Sequence, residues 1–177
     1  MAHRLRPVGL GFARTAPVRF VFTGEMAAPP GVVFRALADD VPGWGDWFPA
    51  VTSMALVDEG GGRKVRLAGG TRFRETIMAA DPDELYAYRV DEATVPGVHA
   101  LLEEWRLAPI GTGTRVQWTW AADGNALVRS LMRLSRGALA RVFRRAVAAL
   151  DRRLASQNSE PDGAGPESAR PDPRPQQ

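Results

Sequence analysis

The chain has 177 residues, 45% of them hydrophobic, a formal net charge of +3 and no cysteine. That is one domain of ordinary size with enough apolar material for a core, and it excludes disulfides, thiolate metal sites and cysteine nucleophiles. The basic side chains are arginines except for Lys64, a bias that matches a GC-rich coding sequence rather than nucleic-acid binding, and no DNA partner is expected.

Residues 1–17 carry Arg4, Arg6 and Arg14 but no continuous apolar run. They read as a flexible leader, with neither a signal peptide nor a membrane span, and a cytoplasmic location is expected. Val18 to Glu25 alternates and is rich in β-formers, a first strand. Pro29 and Pro30 then punctuate the chain, and Pro30 suits the first turn of a short helix with Val32, Val33, Phe34 and Leu37 on its apolar side. Asp39-Asp40 and Pro42-Gly43 stop that helix, and Trp44, Trp47 and Phe48 form a second short helix or turn. Six strand-like segments follow: 51–58, 63–68, 71–80, 84–91, 98–108 and 114–122. Glycine or Asp-Pro clusters separate most of them, which predicts an antiparallel meander with short connections.

From Ala126 to Ala155 apolar residues recur at three- and four-residue spacing, predicting one amphipathic helix capped near Asp123 or Asn125. Leu127, Leu131, Ala138, Leu139, Val142, Phe143, Ala146 and Leu150 share a broad apolar face with Val128, Met132 and Ala149, and Gly137 is the place for a bend. Arg129, Arg133, Arg136 and Arg144 fall on the other arc. That basic face is either simply solvated or, through Arg133, Arg136 and Arg144, a patch for anionic membrane or RNA. Residues 156–177, rich in Pro, Ser, Glu, Asp, Gly and Gln, read as a disordered, dispensable tail.

The order strand, two short helices, antiparallel strands, long C-terminal helix resembles the helix-grip fold of the START, pollen-allergen and polyketide-cyclase (SRPBCC) superfamily. The resemblance spans residues 18–155. Its landmarks are Ala28-Pro29-Pro30-Gly31-Val32-Val33-Phe34, Trp47-Phe48-Pro49, Asp81-Pro82 before Leu85-Tyr86-Ala87-Tyr88, and Gly113-Thr114-Arg115-Val116-Gln117-Trp118. Bacterial polyketide cyclase/dehydrase-like proteins are the most similar members. The resemblance implies an α+β domain whose curved sheet wraps the last helix and leaves a cavity for a small hydrophobic or aromatic ligand, with no cofactor. It also implies, as an alternative, a cyclase, dehydratase or aromatase.

Familiar catalytic motifs do not occur. His3 and His99 are the two histidines, so metal clusters and most histidine triads lack parts. Gly60-Gly61-Gly62-Arg63-Lys64 precedes a strand and is no phosphate loop. Strand parity puts Val116, Trp118 and Trp120 on one face. It also puts Leu101, Trp105 and Leu107 inward, carrying His99 and Glu103, while Glu104 turns outward with Arg106. Phe73 and Ile77 carry Glu75 inward; Val65 and Leu67 face in and Lys64 and Arg66 out. Tyr86 and Tyr88 are each open to either wall or surface. Expected ligand contacts are Trp47, Phe73, Glu75, Tyr88, Glu103, Trp105, Trp118, Trp120, Leu139 and Phe143, with Glu75, Glu103 and Tyr88 as acid/base candidates. The plainer alternatives are aromatics that are only core, carboxylates paired to arginines and a His99 at the rim. A buried carboxylate must find a partner, water or a ligand hydroxyl, or be neutral.

Overall fold

The computed structural model describes residues 1–159. The elements run β1 (His3–Arg4), α1 (Phe12–Thr15), β2 (Val18–Met26), α2 (Pro30–Ala38), α3 (Trp44–Trp47), β3 (Val51–Val57), β4 (Gly62–Leu67), β5 (Arg72–Asp81) and β6 (Leu85–Ala93), then β7 (Val98–Ile110), β8 (Gly113–Gly124), α4 (Ala126–Leu134) and α5 (Arg136–Ser159). The sheet order is β2-β8-β7-β6-β5-β4-β3, all antiparallel. This is the expected α+β helix-grip arrangement, a curved sheet around α5. Asn125 is the helix cap, its side chain accepting the Val128 N–H at 2.9 Å.

Helix α5 buries Phe143, Ala146, Val147, Leu150 and Leu154 against the sheet. It packs tightly on β2 at Gly24, where a Cβ would lie 3.3 Å from Val147. Two tethers hold its far end. Asp151 accepts the Ala27 N–H at 2.8 Å, and Arg153 reaches Asp40 at 2.8 Å and the Gly43 carbonyl at 3.2 Å. A Cβ on Gly43 would collide with both Asp40 and Arg153.

Three expectations are corrected. The leader is not loose. Strands β6 and β7 pair from Leu85↔Arg106 to Arg89↔Leu102 and then splay, and β1 fills the gap by pairing with β6 at His3↔Ala93. The Leu5 N–H bonds the Asp91 carbonyl and the Arg6 N–H bonds that of His99, at 2.8 and 2.7 Å. Those carbonyls belong to the two strands where they separate, and buried backbone groups need partners. Behind β1, Val8, Phe12 and Ala13 cover Ala100, Leu102 and Ala121 on the convex face. A sparse apolar pattern suffices because the patch beneath is small.

The C-terminal helix is also not continuous. It breaks at Ser135 (φ −76°, ψ −4°), whose N–H bonds the carbonyls of Leu131 and Met132 and whose hydroxyl donates to Met132 at 2.7 Å. Gly137 lies inside α5. Beyond the break α4 leans on the sheet through Val128 and Met132, so only the inner edge of its apolar arc packs. Leu127, Leu131 and Ala138, expected against the sheet, face solvent. Finally, residues 156–159 continue α5 as helix rather than opening the tail; residues 160–177 lie outside the described residues.

Candidate functional site

Register brings the polar groups of the inner wall face to face. Arg63 of β4 pairs across from Glu75 of β5, Tyr88 of β6 from Glu103 of β7, and Glu103 from Trp120 of β8. Arg63 is fully buried and donates from Nε and Nη2 to Glu75 Oε2 at 2.9 and 2.5 Å, and from Nη1 to the Tyr86 hydroxyl at 3.3 Å. Its guanidinium stands 3.8 Å from the Tyr88 ring centre, with Trp44 at 5.0 Å and Tyr86 at 5.3 Å. Burial works against the Arg63 charge, but Glu75 and the two tyrosines outweigh it and push its pKa up. Burial likewise raises the Glu75 carboxyl, against the pull of Arg63. Two short donors on one oxygen make this an ion pair, with the rings adding cation–π attraction of about 2 kcal/mol where water is excluded.

Glu103 sits in a different setting. The Tyr88 hydroxyl and the Trp118 indole N–H both donate to its Oε2, at 2.8 and 3.0 Å, and the Trp105 N–H supports Tyr88 at 3.2 Å. Oε1 accepts no hydrogen bond from the described residues. Burial first, then repulsion by Glu75, push this carboxyl from 4.5 up to about 7, while the bonds from Tyr88 and Trp118 pull it back. Tyr88 is raised well above 10 by burial and by Glu103. Glu103 is therefore held up toward the neutral range, away from the acidic range of an ordinary carboxyl.

Arg63, Glu75, Tyr88 and Glu103 stand in the wall of a partly open cavity of about 230 Å³ between sheet and α5. Its wall is otherwise almost entirely apolar: Trp44, Phe48, Met54, Val65, Leu67, Phe73, Leu101, Trp118, Trp120, Leu139 and Val142 among others. The space is many times what one water needs, and an apolar pocket with a few convergent polar groups is the usual form of a small-molecule site. Stacked rings hold it open, with Trp105 on Trp118 at 5.6 Å, Trp118 on Phe143 at 6.0 Å and Trp44 edge-on to Trp105 at 5.8 Å.

Of the expected contacts, Phe73, Glu75, Tyr88, Glu103, Trp118, Trp120 and Leu139 line this cavity. Trp47, Trp105 and Phe143 do not; they are buried one layer behind as the buttress. Trp47 packs behind Trp44 and Trp105, with ring centres at 4.6 and 6.3 Å, and Trp44 is the one that lines. Tyr86 and Tyr88 are both buried against Arg63, and Tyr88 is the one that lines. His99 is exposed, because a register shift between Val98 and Ala100 breaks the alternation there. Glu104 faces outward as expected yet is only 5% exposed, since Arg106 folds over it at 2.7 Å. Arg63 was missed, although its parity with Val65 and Leu67 marks it as inward. Arg133, Arg136 and Arg144 are exposed and lie outside this cavity.

Residues 17–155 match the family model described as polyketide cyclase / dehydrase and lipid transport. An uncharacterised protein of Mycobacterium bovis is 32% identical over 119 residues, 64% of this chain and 71% of that protein. Among solved structures, a START superfamily protein from Mycobacterium smegmatis superposes with a TM-score of 0.59 at 14% identity, over 78% of this chain and 98% of that one. An aromatase/cyclase from a Streptomyces species does so with a TM-score of 0.54 at 26% identity, over 79% and 92%. The protein shares their helix-grip fold, and on the match across residues 17–155 it belongs to the polyketide cyclase / dehydrase and lipid transport family.

Proposed function

We propose that the protein binds a small, largely apolar, aromatic-scale molecule that carries one hydroxyl or carbonyl. The observation that carries this is Glu103 Oε1, a carboxyl oxygen without a donor among the described residues in a wall that is largely apolar. A ligand hydroxyl satisfies it as the carboxylate, and a ligand carbonyl satisfies it as the acid. Burying a ring against Trp118, Trp120, Phe73 and Val142 supplies roughly 25 cal/mol per Å² of apolar surface. Titrating tryptophan emission with naphthol-type and anthrone-type probes tests the proposal. Saturable quenching is expected, with the preference between hydroxyl and carbonyl probes reversing across pH 7. No saturable change with any probe, or quenching untouched by Val142→Trp, refutes it.

A second reading rests on the titration of that same group. A carboxyl near pH 7, hydrogen-bonded to Tyr88 and adjoining an apolar pocket, is suited to general acid–base work on an enolisable chain, as a cyclase or dehydratase requires. Turnover of a β-keto aromatic precursor that Glu103→Gln abolishes, with binding retained, favours catalysis. Binding without turnover leaves a carrier.

A further inference from the structure

Leu127, Leu131 and Leu134 are 78, 64 and 82% exposed. Their spacing of four and three puts them on one ridge of α4. Ala138, Arg141 and Arg145 continue the same spacing into α5, and all three are exposed. Between Ala126 and Leu150 the chain holds six arginines and no carboxylate. Arg129 leans on Asp123 at 3.5 Å and Arg133 on the Pro17 carbonyl at 3.2 Å. The ridge is thus apolar at its start and cationic at its end.

We propose that this ridge docks on an anionic lipid bilayer, the three leucines entering the acyl boundary and Arg141 and Arg145 meeting headgroup phosphates. The charge pattern selects that occupant. A second copy packed antiparallel sets leucines against arginines, and one packed parallel sets arginines against arginines. A nucleic-acid backbone has use for the cations but none for the leucines. An anionic membrane surface takes both, as interfacial amphipathic helices do. Among the described residues no helix is long and apolar enough to cross a membrane, and the proposed contact is made by the exposed ridge alone. Leu139 and Val142, next along the helix from Ala138 and Arg141, line the cavity, so docking brings the cavity wall beside the lipid. The docking itself does not depend on what the cavity holds.

The test is co-sedimentation of the full chain with vesicles of phosphatidylcholine, with and without phosphatidylglycerol. Binding is expected to the anionic vesicles and to weaken as salt rises. Replacing Leu127→Gln, Leu131→Gln and Leu134→Gln together should weaken it at least about tenfold, since three side chains lose their apolar burial, with an unchanged Tm. Arg141→Glu with Arg145→Glu should remove the preference for anionic vesicles. Three outcomes overturn the proposal: no vesicle binding by the parent chain, a parent dimer that the leucine variant turns into monomer, or RNA binding that survives the leucine variant and fails in the arginine one.

Discussion

Strand β7 separates two surfaces built on opposite lines. On its convex side Ala100 and Leu102 are aliphatic, and Val8, Phe12 and Ala13 close directly over them. On its concave side Leu101 and Glu103 line a cavity, with Trp105 behind them. The concave side holds far more apolar bulk, yet it is the side that stays open. Rigid rings stacked on one another brace a curved wall, whereas aliphatic side chains with no such bracing let the covering segment settle onto the sheet. The contrast extends to consecutive glutamates. Glu104 meets a cation, Arg106, through both oxygens at 2.7 and 3.2 Å, while Glu103 meets only neutral donors on one oxygen. Outside, charge is balanced where it stands; inside, Glu103 relies on its titration and on whatever enters.

The harshest way to break the concave wall is Arg63→Leu. It strands Glu75 in the interior, and a loss of about 3–5 kcal/mol in denaturant unfolding is expected. Adding Glu75→Leu should recover much of it, since removing both charges also removes both desolvation costs. Failure of that recovery means that the ring stack on Arg63, not the ion pair, dominates. The matching cut on the convex side is Phe12→Ala, expected to cost about 3 kcal/mol and to leave probe quenching in the cavity unchanged. An unaltered Tm there contradicts the docking of the N-terminal segment.

Glu103→Gln should act in the opposite direction and with pH. The carboxyl is raised from 4.5 to about 7 by burial and by Glu75, so between those values the folded chain holds a proton that the unfolded chain has released. Its contribution to stability is complete below about 4.5, declines as pH rises through about 7 and is flat beyond. Glutamine does not titrate. The stability difference should therefore swing toward the variant across that window, reaching about 1–2 kcal/mol in its favour at pH 8. A difference independent of pH removes the assignment. Glu104→Gln should give the smallest effect, a loss of about 1 kcal/mol from a weakened pair to a half-exposed arginine, without altered ligand preference.

Parity was enough to read most of the concave wall. Leu101, Glu103, Trp105, Val116, Trp118 and Trp120 follow strict alternation on long strands, where one register slip would expose the whole set. Neither strand parity for Trp105 nor helical spacing for Phe143 can tell lining from buttress, which is why both are expected one layer too far in. Arg63 was legible by the same rule and was lost because its neighbours Gly60 to Gly62 read as a turn. The convex patch had no periodicity to read: Val8 and Phe12 matter because Ala100, Leu102 and Ala121 of β7 and β8 would lie bare without them. The outer leucines of α4 were misplaced because amphipathicity reports which arc is apolar, not how much of it finds a partner.

The wedge at β1 carries a consequence for synthesis. His3 waits for Ala93, Arg6 for His99, and Phe12 and Ala13 for Leu102 and Ala121. At roughly 5–20 residues per second, these residues leave the ribosome many seconds before the strands that receive them exist. The segment stays unpaired through most of translation and closes once β6 and β7 have formed, so it acts as a late latch on a sheet that the following segments have assembled. A nascent chain stalled before β7 should expose residues 1–16 to protease, and one released after α5 should protect them.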